Sequence, residues 1–227
     1  MELENTKVDQ LVSALKSIGS LHPAGSILTE IICSIIPNQR IDRIVNYVQE
    51  LNRRITNIEM EHLQKKFLQP EFIDLFEDSC IQASKALGDE RLKYLASILV
   101  NGIHEENLKY FRSKRYLSIL SELTDQEVIV LGSYYYPSTR NLEYHVRHEK
   151  LLRPKRATFA SDNSEVEDET VFESILFHLC RLGLLDTCYQ ISRDIAIPET
   201  DSNGRLKVAS YLITELGKRF IKFIELS

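Results

Sequence analysis

Apolar residues recur at spacings of three and four along most of the chain, which is the period of one face of an α-helix. The pattern predicts a first helix over Thr6–Gly19. A second segment is bounded by Pro23 and Pro37, since proline disfavours helix in the residue before it. Within it, six apolar residues share one half of the helix circumference: Ile27, Leu28, Ile31, Ile32, Ile35 and Ile36. We therefore expect an amphipathic helix over residues 24–36.

A heptad-like seam of apolar residues follows Pro37. Its members alternate at spacings of three and four: Ile41, Ile44, Val48, Leu51, Ile55 and Ile58. The repeat ends where His62 and Lys65 occupy the next two positions, so it spans fewer than three heptads. The apolar seam therefore fits either an antiparallel helix pair inside a bundle or a dimer zipper, and its six residues are candidates for self-association.

Three more helices are predicted to begin near Pro70, Asp89 and Lys109, each with an apolar stripe, which in the third includes Phe111. Proline suits the first position of a helix, and aspartate caps helix N-termini. These segments predict an all-α helical bundle over residues 1–122. A capping box at Thr124–Glu127 then marks the start of another helix.

The net charge of the chain changes sign abruptly within its second half. Residues 140–156 carry six bases against two acids, a net charge of +4, whereas residues 162–169 carry five acids and no base. Neither stretch shows clear apolar periodicity. An exposed, mobile loop is expected over about 140–169, with protease cutting first at residues 157–169.

The last part of the chain is predicted to contain both helices and strands. A helix is expected over Val171–Leu185, with Gly183 at its end. Two strands are expected over Thr187–Ile195 and Lys207–Ile213, and a closing helix from Thr214 to Ile224. Helix, helix, hairpin, helix is the element order of a winged helix-turn-helix. The fold class expected is thus mainly α, with a winged-helix-like domain over residues 123–227.

The composition of the chain argues against several classes of function. The 28 basic and 33 acidic side chains give a net charge of −5, so no global field attracts nucleic acid or an anionic membrane. Only 8 glycines occur, which disfavours glycine-rich nucleotide sites. Four scattered cysteines are typical of a reduced, cytoplasmic protein: Cys33, Cys80, Cys180 and Cys188. The acidic start has no apolar core of the kind found in a secretory signal.

The amphipathic helix over residues 24–36 raises the alternative of membrane binding. Helices that lie on membrane surfaces normally carry Lys or Arg on their polar face. Here the only charge is Glu30. A helix buried against protein is the favoured interpretation, and membrane activity is kept as a second alternative.

Three segments resemble bacterial proteins of the abortive-infection alpha family. They read ERLKYLASIL over Glu90–Leu99, LSILSELT over Leu117–Thr124 and YLITELGKRF over Tyr211–Phe220. The resemblance covers residues 88–227. It implies an intracellular protein linked to phage exclusion, with no established catalytic residues.

One pair of histidines has the spacing of a metal site. His145 and His148 are three residues apart, and Glu143 or Glu149 could complete the site. Arg147 between them repels a cation. We interpret the segment as a solvated basic stretch and predict neither a metal nor another cofactor.

DNA binding is the main alternative function, because a winged helix reads DNA with its second helix. That helix offers Arg181 and His178 against Glu173, and the predicted hairpin from Asp186 to Ser210 has a net charge of −1. The remaining candidates for phosphate contact lie in the basic stretch: Arg140, Arg147, Lys150, Arg153, Lys155 and Arg156. Binding through them would be weak and independent of sequence.

The sequence therefore predicts a non-enzymatic interaction module in the cytoplasm. Its expected partner is a protein, with a second copy of the chain as the first candidate through the apolar seam. Nucleic acid, membrane and small-molecule substrates are not expected as partners.

Overall fold

The computed structural model describes residues 40–103, 110–139, 141–152, 162–192, 197–201 and 204–226, with only the backbone of Ile41, Met60 and Gln64. Within these residues the chain forms ten helices and one two-stranded antiparallel sheet, which confirms the mainly helical fold. It divides into two compact units, hereafter unit 1 (Met1–Glu122 with Phe223–Ser227) and unit 2 (Leu123–Lys222).

Unit 1 contains five described helices. They are α1 (Ile41–Ile55), α2 (Met60–Phe67), α3 (Pro70–Lys85), α4 (Asp89–Ile103) and α5 (Tyr110–Glu122). Pro70 occupies the first position of α3, where its missing N–H has no helical partner to lose. Asp89 opens α4, and α5 begins one residue after the predicted Lys109. The three predicted helices are confirmed.

Helix α4 is the centre of unit 1. It packs against α1, α3 and α5. Eight of its side chains are buried: Leu92, Tyr94, Leu95, Ala96, Ser97, Ile98, Leu99 and Ile103. A helix that buries residues on several sides is characteristic of a bundle interior.

The apolar seam lies within this bundle. Four of its residues are at most 4% exposed: Ile44, Val48, Leu51 and Ile55. Ile58 is half-buried, and the side chain of Ile41 lies outside the described atoms. Because α1 packs against α3 and α4 of the same unit, the seam is filled within one chain. The four buried side chains are thus not exposed to a second copy, and the bundle alternative accounts for them.

The last residues of the chain belong to unit 1, whereas the sequence-based division placed them in the second domain. The ring of Phe223 lies 4.7 Å from that of Tyr116. The Nη1 of Arg54 donates to Oε2 of Glu225 over 2.5 Å. The chain therefore leaves unit 1 after Glu122 and returns to it at Phe223.

Unit 2 contains five helices and the hairpin within its described residues. They are α6 (Asp125–Tyr135), α7 (Leu142–Arg147), α8 (Glu149–Leu152), α9 (Asn163–Arg181), β1 (Leu185–Tyr189), β2 (Val208–Ile213) and α10 (Glu215–Phe223), whose last residue belongs to unit 1. The capping box is confirmed: the Thr124 hydroxyl accepts from the Glu127 N–H, and the Glu127 carboxylate accepts from the Thr124 N–H. Strands are found in both predicted segments, but β1 begins two residues earlier than expected and ends at Tyr189 instead of Ile195.

The predicted mobile loop over residues 140–169 is wrong for most of the part that the structure describes. Helices α7 and α8 occupy residues 142–152, and α9 begins at Asn163, eight residues earlier than expected. The Asp162 side chain accepts from the Glu165 N–H over 2.9 Å and caps α9. Acidic residues are favoured at a helix N-terminus because they oppose the positive end of its dipole. The acidic run is therefore a helix start.

Three further expectations concern the N-terminal segments and the core. The predicted helices over Thr6–Gly19 and residues 24–36 lie outside the described residues.

No helix in the described part of the chain has the length and apolar content needed to cross a bilayer. Phe111, expected on the apolar stripe of α5, is 75% exposed, so that assignment is wrong.

Candidate functional site

Helix α9 ends in a turn that directs the chain into the hairpin. Gly183 adopts φ +72°, a left-handed conformation that glycine takes without strain. Its N–H donates to the Cys180 carbonyl over 2.9 Å, and the Leu184 N–H donates to the Leu179 carbonyl over 3.0 Å. This pattern of bonds satisfies the last carbonyls of the helix. The expected role of Gly183 as a helix end is confirmed.

The hairpin presents one face toward α9. In the antiparallel register Thr187 lies opposite Tyr211, and Tyr189 lies opposite Val208 after a bulge at Cys188. Opposed residues of a strand pair project from the same face of the sheet. The paired positions thus bring two tyrosines to one face of the ribbon.

Hydrogen bonds of Thr214 join the two ends of the hairpin, and we call them the Thr214 staple. The Thr214 hydroxyl donates to the Gly183 carbonyl over 2.7 Å and accepts from the Gly217 N–H over 3.0 Å. The Thr214 N–H donates to the Leu184 carbonyl over 3.0 Å. One threonine thus caps α10 and fixes it to the end of α9.

A cleft of about 610 Å³ lies between the C-terminal half of α9 and the hairpin, and we call it the hairpin cleft. It is lined by Phe177, Cys180, Arg181, Thr187, Tyr189, Arg205, Leu206, Val208 and Tyr211. Four of these apolar or aromatic residues are strongly exposed, led by Phe177 at 73%. Aromatic and aliphatic side chains exposed together are characteristic of binding surfaces.

Two arginines border the hairpin cleft. Arg181 projects from α9 and Arg205 from the hairpin, and both are exposed. Neither guanidinium has an ion-pair partner within the described part of the chain. By contrast, Lys207 pairs with Glu199 over 3.2 Å. The two arginines can therefore meet an acidic group of a ligand.

Tyr211 lines the hairpin cleft, and its phenol stays protonated at neutral pH. Burial raises the pKa of Tyr211, and Cys180, Glu173 and Tyr189 raise it further. Burial likewise raises the pKa of the nearby Tyr134 to about 12, with Tyr211 contributing. At neutral pH the Tyr211 hydroxyl is thus a neutral donor and acceptor, suited to a peptide group or a carboxylate.

Helix α9 is held on α6 by a buried polar contact. The Nδ1 of His178 donates to Oε1 of Glu127 over 2.5 Å. The other carboxylate oxygen of Glu127 accepts from the N–H and the hydroxyl of Thr124. Glu127 is only 6% exposed, so its carboxylate needs these hydrogen-bond partners in place of water. The capping residue of α6 thus also positions the helix that carries Phe177 and Arg181.

Glu127→Ala is expected to destabilise the protein by about 3 kcal/mol, because it removes a helix cap and leaves buried donors without an acceptor. The midpoint of urea unfolding, followed by circular dichroism, measures this change. Gln126→Ala on the exposed side of the same helix turn is the matched control. A loss no greater than that of the control would contradict the assigned role.

Most of the residues predicted to contact phosphate lie outside the part of the chain that the structure describes. Of the six bases, only Arg147 and Lys150 have described side chains, and both are exposed. Arg147 pairs with Glu143 over 2.8 Å. The other four lie outside the described residues: Arg140, Arg153, Lys155 and Arg156. Lys150 is therefore the base of this stretch that forms no ion pair among the residues that the structure describes.

The two histidines whose spacing is that of a metal site have separate surroundings. His145 Nε2 lies 2.6 Å from the Tyr136 carbonyl oxygen, and the His148 ring packs 4.8 Å from the Tyr144 ring. Burial lowers the pKa of His148, as does Arg147 beside it. The described residues contain no group of three or more side chains placed to hold a metal ion.

Sequence reasoning identified Arg181 but missed the aromatic lining of the cleft. Phe177 does not lie on the apolar stripe of α9. This position was the feature of the sequence that indicated an exposed aromatic ring. Tyr189 and Tyr211 could not be assigned to one face, because the bulge between Cys188 and Tyr189 shifts the register. Arg205 was counted only in the net charge of the hairpin.

No family model, no curated protein and no solved structure matches the chain. The resemblance to the abortive-infection alpha family stays a prediction.

Proposed function

We propose that the chain is a non-enzymatic interaction module whose hairpin cleft docks another protein. The observation that carries the proposal is Phe177, which is 73% exposed at a cleft bordered by Arg181 and Arg205. Exposing a large aromatic ring to water is unfavourable, so burial of this ring by a partner would contribute to binding.

The composition of the cleft supports a protein ligand. Aromatic residues and arginine are the side chains most enriched in the energetically important centre of protein interfaces. Tyr211 and Thr187 add hydroxyl groups on the hairpin face. An apolar centre with a few polar groups at its border is the arrangement that excludes water from such contacts.

The order of elements in unit 2 supports a winged-helix-like domain. Helix α9, the turn at Gly183, the hairpin and α10 follow one another as in that fold, and the Thr214 staple joins them. In a winged helix, α9 would be the helix that reads DNA. Arg181 and Arg205 favour this as a second candidate function, with weak binding that does not depend on sequence.

Charge disfavours the DNA alternative. Glu173 lies one turn before Phe177 on α9, and the same helix begins with the acidic run from Asp162 to Glu169. DNA-binding proteins neutralise several phosphates, whereas this surface opposes the phosphate field along most of α9. A protein is therefore the favoured ligand.

A cytoplasmic role in phage exclusion completes the proposal. The three described cysteines carry free thiols, which suits a reducing compartment. The link to phage comes from the resemblance of the three segments named above. Plaque counts on bacteria that express the chain, compared with bacteria that express its Phe177→Ser variant, test this role.

The docking function is tested with a photo-crosslinking amino acid in place of Phe177. We expect a discrete adduct with a protein in living cells, because the ring would lie inside an interface. The matched control places the same crosslinker at Phe111 in unit 1, which is 75% exposed. Exposure is thus nearly equal at the two positions, and only docking distinguishes them.

Two outcomes would overturn the proposal. An adduct at Phe177 that nuclease removes would indicate nucleic acid and promote the DNA alternative. Equal labelling at both positions, or none at either, would indicate that the hairpin cleft docks no protein.

A further inference from the structure

We propose that the part of the partner that enters the hairpin cleft is a short acidic peptide segment, in which carboxylate side chains flank a large apolar side chain. This inference rests on the proposed docking function and names the chemistry of the partner. The observation that carries it is the charge of the cleft. Its described lining contains two arginines, Arg181 and Arg205, and no acidic residue.

The positive charge of the two arginines is not neutralised by the described part of the chain. Neither guanidinium forms an ion pair there, although the whole chain has a net charge of −5. Two acids of the hairpin bind other groups: Glu199 pairs with Lys207 over 3.2 Å, and Asp201 Oδ1 accepts from the backbone N–H of Arg205 over 2.9 Å. The two guanidinium groups are therefore left to bind carboxylates of a partner, which their planar fork of donors fits.

The positions of the charged and apolar groups define the pattern of the peptide. Arg181 belongs to the helix side of the cleft and Arg205 to the hairpin side. The apolar lining also comes from both sides, with Phe177 on α9 and Leu206 and Val208 on the hairpin, all of which are exposed. An apolar side chain of the partner would cover these three groups, and carboxylates on either side of it would meet the arginines.

The size of the cleft favours a short segment over a folded surface. A volume of about 610 Å³ lies within the range of sites that hold a small ligand, so the cleft accepts a few side chains. The hydroxyl groups of Thr187 and Tyr211 also line it. Hydroxyl groups both donate and accept, which suits the free main-chain groups of an extended peptide.

Single-stranded nucleic acid shares part of this chemistry, because its bases stack on aromatic rings and its phosphates bind arginine. Proteins that bind nucleic acid neutralise several phosphates, whereas the described lining supplies two bases. Glu173 lies close enough to contribute to the raised pKa of Tyr211, and its charge opposes a polyanion. A peptide with a few carboxylates therefore matches the cleft better.

Selection from a library of short random peptides tests the inference on the purified full chain. We expect enrichment of sequences in which Asp or Glu flanks an aromatic or aliphatic residue. The best peptide is then labelled and its binding is measured by fluorescence anisotropy. Replacing its acids by the corresponding amides is expected to weaken binding at least about tenfold, because each carboxylate bonds to a guanidinium. Replacing its apolar residue by serine is expected to have a similar effect.

Variants of the chain assign the binding to the cleft. Arg181→Gln and Arg205→Gln are each expected to weaken binding of the selected peptide about tenfold. Lys222→Gln is the matched control, since Lys222 is an exposed base of unit 2 outside the lining of the cleft. A chain that carries both Arg181→Glu and Arg205→Glu is expected to select basic peptides from the same library. Thermal melting of each variant checks that the fold is retained.

Several results would overturn the inference. They are selection without enrichment of acidic residues, arginine variants that lose no more affinity than Lys222→Gln, and tighter binding of oligothymidylate than of the best peptide. Each would show that carboxylates are not what the cleft recognises.

Sequencing the segment that the crosslinker at Phe177 attaches to separates this inference from the docking function. A partner segment with Asp or Glu within about three residues of the attachment point, roughly 10 Å of extended chain, supports both. A neutral or basic partner segment overturns the acidic-peptide inference and leaves the docking function standing. Attachment within the same chain, or no attachment, overturns both.

Discussion

Leu51→Asp is expected to destabilise the protein by at least about 4 kcal/mol, because it places an unpaired carboxylate in an apolar core. Leu51 is 0% exposed in the centre of α1, and α1 packs against α3 and α4. Urea unfolding followed by circular dichroism measures the loss. The variant should lose its helical signal at the same urea concentration regardless of protein concentration, since the seam is filled within one chain.

The control for this change is Gln49→Glu, which adds the same charge at an exposed position of α1. We expect it to change the free energy of unfolding by less than about 0.5 kcal/mol. A Leu51→Asp protein that stayed folded and merely dissociated from a dimer would show that the seam is an interface after all.

Gly217→Ala is expected to destabilise unit 2 by about 3 kcal/mol. A Cβ atom at this position would lie 2.4 Å from the Leu184 carbonyl oxygen and 2.9 Å from a side-chain carbon of Ile213. The first of these atoms belongs to the backbone that the Thr214 staple holds, so it cannot move without breaking the staple. Differential scanning calorimetry measures the resulting fall in the unfolding temperature.

Gly204→Ala provides the comparison, because the two glycines differ in what surrounds them. Gly204 has φ +76°, but a Cβ atom there would meet nothing within 4 Å. We expect a loss of about 1 kcal/mol from backbone strain alone. If the two variants lost equal stability, the close approach at Gly217 would not be what requires glycine.

Patterns that depend on near neighbours predicted structure well. The capping box at Thr124, Pro70 at a helix start and Gly183 at a helix end each act within one helical turn, and the structure confirms all three. The strands of the hairpin were also found, because their residues alternate between two environments.

Features that depend on distant contacts were harder to predict. The six seam residues have the same spacing in a bundle and in a dimer, and only the packing of α1 on α3 and α4 distinguishes the two. The acidic run resembled a loop because α9 begins with three turns that bury nothing, so no apolar periodicity marks its start. The hairpin cleft combines residues separated by up to 34 positions, from Phe177 to Tyr211.

The return of the chain to unit 1 affects the order of folding during synthesis. Glu122 emerges from the ribosome long before Phe223, yet unit 1 includes both. Ile224 and Leu226 are at most 5% exposed, so the bundle cannot complete its core until they have been made. Unit 2 is a continuous segment that is translated in between, and its residues are all available before unit 1 is finished. The bundle is therefore begun first and completed last.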